Sequence, residues 1–140
     1  MVRYITGVNP NFMKKAIKLC TFNYYDAPKR NEGLRIGTTR RPPRGIKKNQ
    51  WHEYFDVWFP VIAPSAKLLS RTKQHNWNYK AFCASYEREL LATAESRGVL
   101  QLLATLALRT PISIGCYCDD ESRCHRSHLR NIIERVARKL

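Results

Sequence analysis

Ile112-Ser113-Ile114-Gly115-Cys116-Tyr117-Cys118 runs directly into Asp119-Asp120-Glu121-Ser122-Arg123-Cys124-His125-Arg126, and this stretch decides the fold. It opens just after Pro111 as an apolar run too short for a helix, the pattern of a strand buried on both faces at the centre of a parallel sheet. Beyond it Leu129, Ile132, Ile133, Val136 and Leu140 line one stripe, while Arg130, Glu134, Arg135 and Arg138 occupy the other side. That is an amphipathic helix, and it must lay its stripe on the sheet. With Leu129 at the centre of the stripe and a step of about 100° per residue, His125 and Arg126 fall on its two shoulders. They are expected to point at the sheet end rather than into water.

Moving outward, Val99, Leu102, Leu103, Leu106 and Ala107 repeat at helical spacing before Pro111. Asn78 is placed to cap a preceding helix that carries Phe82, Tyr86, Glu89 and Leu90, with Gly98 expected at its end. Ser65 is placed to cap a short helix through Leu69. Earlier still, Ala16 to Tyr25 reads as a strand stopped by Asp26-Ala27-Pro28, and Leu34 to Thr39 as a second strand after Glu32-Gly33. Arg40-Arg41-Pro42-Pro43-Arg44-Gly45 follows, and its paired prolines hold the arginines on a stiff loop. The aromatic stretch from Trp51 to Trp58 reads as a satellite of the core beneath that loop. Early strands, middle helices and a closing strand–helix unit predict a single α/β domain over residues 1–140, a mostly parallel sheet with helices packed on its faces. Ligands of such sheets bind outside the carboxyl ends of the strands. Both basic clusters of the chain begin there.

Composition agrees. A chain of 140 residues with 44% apolar content can build one core without disulfides. Five cysteines, Cys20, Cys83, Cys116, Cys118 and Cys124, are odd in number and lack the even spacing of a secreted framework, so free thiols or metal ligands are expected. Met1 to Phe12 carries no signal-peptide core, and Val99 to Leu108 is too short to span a bilayer. A cytoplasmic protein with no membrane partner is the expectation. Lys and Arg number 25 against 11 Asp and Glu, a formal charge of +14. That excess calls for an anionic partner: nucleic acid, nucleotide or another phosphorylated small molecule. Its concentrations are Arg40, Arg41, Arg44, Lys47 and Lys48, and then Arg123, Arg126, Arg130, Arg135, Arg138 and Lys139.

Three chemistries fit the turn. The helix N-terminus and the Arg126 fork can hold a phosphate, together with Arg40, Arg41, Arg44, Lys47, Lys48 and Arg123. Alternatively a cysteine, Cys116, Cys118 or Cys124, becomes a catalytic thiolate beside His125 and the arginines. Cys118 to Arg123 has the C-x4-R spacing of a rhodanese loop, although Asp119, Asp120 and Glu121 stand where an anionic substrate needs donors. Finally, Cys116, Cys118, Cys124 and His125 form a Cys/Cys/Cys/His set of the kind that binds zinc.

These residues together resemble the domain of unknown function 488 family. Its members end in a hydrophobic strand leading to a Cys, an acidic loop and then Cys-His-Arg before a helix, here Ile112 to Cys116, Asp119 to Glu121, and Cys124-His125-Arg126. Leu34 to Lys48 is similar to the family's strand and arginine–proline loop, with Arg40, Pro43, Arg44 and Gly45 at matching places. Ala63 to Leu68 and the helix with Phe82, Tyr86 and Leu90 are similar to its middle section. The resemblance covers about residue 16 to the end and implies a compact α/β fold with one site shared by the arginine loop and the Cys-His-Arg turn. It implies no reaction. One departure is plain: members usually carry an Asp just before the loop arginine, and Thr38 and Thr39 stand there.

Overall fold

The computed structural model describes residues 16–140. Met1 to Phe12, read above for a signal peptide, lies outside them. Four parallel strands, β1 (Leu19–Asn23), β2 (Leu34–Gly37), β3 (Val57–Trp58) and β4 (Ile112–Cys116), form a sheet in the order β1-β4-β2-β3. The last strand in sequence is therefore inserted between the first two. It is buried at all five positions, the small hydroxyl of Ser113 included, as expected for a charge-free central strand. Gly115 lets it fit: a Cβ there would lie 2.6 Å from the Phe22 ring.

Four helices accompany the sheet, α1 (Ala66–Arg71), α2 (Tyr79–Ala92), α3 (Ala94–Ala107) and α4 (His125–Arg138). The main core joins Ile36, Ile112 and Ile114 of the sheet to Tyr86 and Leu90 of α2, Leu100 and Leu103 of α3, and Leu129 and Ile133 of α4. Ser65 and Asn78 cap α1 and α2 by accepting the N–H groups of Leu68 and Ala81. The aromatic stretch is the expected satellite: Phe55, Trp51, Tyr54 and Trp58 pack on Phe22 and Tyr24. It also holds a two-residue strand, β3, whose pairing to β2 is too short to leave a periodic signal.

The boundary expected at Gly98 is wrong. The chain bends at Thr93, where an extended backbone ends α2 and the side chain caps α3 by accepting the Ser96 N–H at 3.2 Å. Gly98 lies inside α3 with open space where a Cβ would be. A threonine that caps needs no glycine before it. Thr93→Ala should cost about 1 kcal/mol, read as a lower denaturation midpoint in urea at unchanged slope.

At the start of β2 a buried ion pair is built from local sequence. Arg35 Nε lies 3.1 Å from a Glu32 carboxylate oxygen, its Nη2 donates to the carbonyls of Asn23 and Asp26, and its guanidinium sits 4.1 Å from the centre of the Phe22 ring. This arginine ties the β1 exit to β2. It is structural charge, separate from the loop arginines that follow.

Candidate functional site

The carboxyl ends of β1, β4 and β2 deliver their chains to one place. Strand β4 ends in Cys116, and the segment after it turns through Asp120, which accepts the Ser122 N–H, before α4 begins at His125. Thr21 donates a hydrogen bond to the Glu121 carboxylate and Asn23 Nδ2 donates to the Cys118 carbonyl, so β1 holds this turn from one side.

Cys116, Cys124, His125 and Arg126 are all buried, with Cys116 at 0% and Arg126 at 4% exposure. His125 and Arg126 thus occupy the shoulders of the inward face, as the helical step predicts. Cys118 is half-buried, and Arg123 is exposed above the Trp77 ring at 4.6 Å.

The geometry assigns the protons. His125 Nε2 lies 2.9 Å from the Thr38 carbonyl, which only accepts, so Nε2 carries the hydrogen. Burial also pushes the imidazole pKa down, which keeps it neutral. Its Nδ1 lone pair then faces Cys124 Sγ at 3.7 Å. Cys124 Sγ lies 2.8 Å from Cys116 Sγ, and Arg126 Nη1 donates to Cys116 Sγ at 2.9 Å and to the Cys118 carbonyl at 3.0 Å. The Cys118 N–H adds a third donor to the same sulfur at 3.4 Å.

Three sulfurs cannot all ionise in one small volume, and the donors converge on Cys116. Hydrogen bonds from Cys118 and Cys124, reinforced by the Arg126 charge, hold its thiol well below the ordinary range. The same sharing pushes Cys118 and Cys124 upward. The donors thus favour Cys116 as the sulfur that carries negative charge, facing a guanidinium. A chain of polar contacts runs from Thr38 through His125 and Cys124 to Cys116.

The DUF488-N3a family model, described as the active DUF488-N3 subclade, matches residues 19–137. The chain belongs to this family. No curated protein and no solved structure matches it. In this DUF488 domain the two threonines before the loop arginine are both occupied. Thr38 donates from Oγ1 to the Gly115 carbonyl at 3.0 Å beside His125, and Thr39 donates to the Arg41 carbonyl at 2.6 Å while touching the Tyr24 hydroxyl at 2.9 Å. Neutral hydroxyls there place no carboxylate against His125.

The two basic clusters of the DUF488 domain differ in a way their sequences do not show. Arg130 and Arg138 pair with Glu134, Arg135 pairs with Glu87, and Arg126 faces the thiolate. Arg40, Arg41, Arg44, Lys47 and Lys48 are exposed, and none of them forms an ion pair among the described residues. Arg40 Nε donates only to the Pro64 carbonyl at 2.9 Å. Among the described residues the β2-loop cluster is thus the one in which no member pairs with a carboxylate.

As a metal set, Cys116, Cys124 and His125 bring their ligand atoms within 4.8 Å of one another. Zinc–sulfur bonds of about 2.3 Å place two thiolates of a tetrahedral site about 3.8 Å apart, whereas these sulfurs are 2.8 Å apart. The sulfurs would have to separate by roughly an ångström to admit the ion. A guanidinium already meets the charge of Cys116.

Among the described residues no helix is long and apolar enough to cross a membrane.

Proposed function

We propose that this chain is a thiol-dependent enzyme acting on a phosphate-bearing ligand, with Cys116 as its thiolate. The observation that carries the reading is the Arg126 Nη1 to Cys116 Sγ contact of 2.9 Å at the carboxyl end of the central strand. A thiolate is the nucleophilic form of cysteine, and such sites form where a cationic partner favours charge on sulfur. The description of the matching family as an active subclade supports chemistry as well as binding. Cys124 stands between the thiolate and the His125 Nδ1 lone pair, where it can pass a proton from one to the other. The β2 loop supplies the cations for phosphate recognition. Cys116 has no exposed surface, so the turn after β4 must move aside before a substrate reaches it.

The second reading is a binding domain without chemistry. It is favoured by the same burial of Cys116 and by the exposure of the loop cations. There the thiolate–guanidinium pair only holds the turn in shape.

Alkylation by iodoacetamide, mapped to each cysteine by mass spectrometry across pH, separates these readings. The enzyme reading expects Cys116 to react at a rate that stays level well below about pH 8.5, the ordinary thiol pKa, while Cys83, whose thiol burial pushes up, slows about tenfold per pH unit. Uniform behaviour of all five thiols sinks it. So does zinc near one atom per chain in untagged protein.

A further inference from the structure

Three aromatic side chains project at the mouth of the site. Tyr25 follows β1 and is 58% exposed, and Tyr117 follows β4 and is 39% exposed. Because β1 and β4 pair with Asn23 opposite Cys116, the chain exits on adjacent tracks, and Tyr24 N still donates to the Cys116 carbonyl at 2.9 Å. Tyr54, from the segment before β3, meets Tyr25 edge-on with ring centres 5.9 Å apart. The Tyr117 phenol lies close enough to Tyr25 and Arg41 for both to influence its ionisation.

Among the described residues Tyr25 is the most exposed of the large apolar side chains. The core does not need it there. Tyr117 next to it lies near Arg41 of a loop that carries five exposed cations and no acidic residue between Glu32 and Glu53. Exposed rings next to such cations match a ligand that offers flat, unstacked bases on a negatively charged backbone. Duplex DNA hides its base faces within the stack, and a free nucleotide engages few cations.

We propose that Tyr25 and Tyr117 form a stacking platform for single-stranded nucleic acid, whose phosphates run along Arg40, Arg41, Arg44, Lys47 and Lys48. This rests on the phosphate-bearing ligand of the preceding reading and names its class. Stacking supplies attraction without base identity, so binding tolerates any sequence. The strand then passes directly over Cys118, the half-buried residue next to Tyr117.

The test is fluorescence anisotropy with a labelled oligothymidylate, the same strand in duplex, and thymidine monophosphate as competitor, over a salt series. The single strand should bind more tightly than the duplex, and the mononucleotide should compete poorly. Tyr25→Ala and Tyr117→Ala should each weaken binding about tenfold with the salt slope unchanged. Tyr25→Phe should retain the affinity. Arg41→Ala and Arg44→Ala should instead lower the slope by about 0.7 for each phosphate that is no longer neutralised. Equal binding of single strand and duplex overturns the proposal, as does wild-type affinity in the Tyr25→Ala/Tyr117→Ala double variant. No binding to any of the three probes overturns it as well. The assay involves no sulfur chemistry, so these outcomes leave the alkylation result standing, and a failed alkylation result leaves these standing.

Discussion

Replacing Arg126 by leucine is expected to raise the Cys116 thiol pKa and deplete its thiolate at neutral pH. Arg126 is the one permanently charged donor on that sulfur, at 2.9 Å and 4% exposed, so screening by water is weak. Cys124 and the Cys118 N–H remain, but neutral donors do not balance a buried charge. Thiolate ultraviolet absorbance and the shift of isotope-labelled cysteine by NMR report the change directly. An Arg126→Leu protein that keeps its thiolate at neutral pH removes the pair from the mechanism.

The same pair shapes stability against pH. The folded pKa of Cys116 is depressed, so unfolding below the ordinary thiol pKa of about 8.5 takes up a proton. Its stabilising contribution is present above that value and is lost progressively as pH falls. For one proton the slope is about 1.4 kcal/mol per pH unit. Above about pH 8.5 the sign reverses, because Cys118 and Cys124 ionise more readily in the unfolded chain than in the fold. Wild-type stability should therefore peak near the ordinary thiol pKa. Cys116→Ser should lack the rising limb between about pH 6.5, the ordinary imidazole pKa below which buried His125 contributes a limb of its own, and about pH 8. Chemical denaturation of both proteins across that range decides it.

Gly33→Ala is expected to be the most damaging single-methyl change in the fold. Gly33 enters β2 with φ of 64°, and a Cβ there would lie 1.9 Å from the Pro111 carbonyl oxygen and 2.5 Å from its carbon. Both obstacles are backbone, and no rotamer relieves them. Leu34 N also donates to that carbonyl at 3.3 Å, so moving it pulls apart the start of the β2–β4 pairing. A loss of about 3 kcal/mol or more is expected. Gly45 provides the internal comparison, since its φ is 77° but nothing lies within 4 Å of its Cβ position. Gly45→Ala should cost only the left-handed strain, about 1 kcal/mol. Similar denaturation midpoints for the two variants would show that conformation, and not the contact with Pro111, sets the cost at Gly33.

Much of this architecture is visible in the chain because it is local. The Ile112 to Cys116 run carries no charged residue and only one small hydroxyl, Ser113, which makes it a central strand before any partner is known. Helix α4 announces its inward face through Leu129, Ile132 and Ile133, and this fixes where His125 and Arg126 point. The satellite cluster of Trp51, Tyr54, Phe55 and Trp58 is equally plain from aromatic density. The boundary at Thr93 was hidden, because Gly98 is the stronger breaker and a capping threonine looks like any other. Strand β3 was hidden too, since two residues carry no period.

For the site, the order of residues along the chain is enough to say which of them stand at the sheet end: a thiol at the end of the central strand, and a Cys-His-Arg sequence at the start of the final helix. Periodicity is a property of a single segment, so one segment suffices to read it. How charge is distributed among those residues follows only from the folded arrangement. The tautomer of His125 depends on Thr38 arriving from the end of β2, and the direction of the Arg126 fork and the choice of Cys116 over Cys118 and Cys124 depend on where the end of β4 brings the Cys116 sulfur and the Cys118 carbonyl against α4. The same holds for the two basic clusters, which look alike in sequence. Glu87 from α2 and Glu134 from within α4 pair with three arginines of one of them, Arg130, Arg135 and Arg138, and among the described residues no carboxylate pairs with the other. Electrostatics acts between neighbours in space, and in a parallel sheet those neighbours are far apart in sequence.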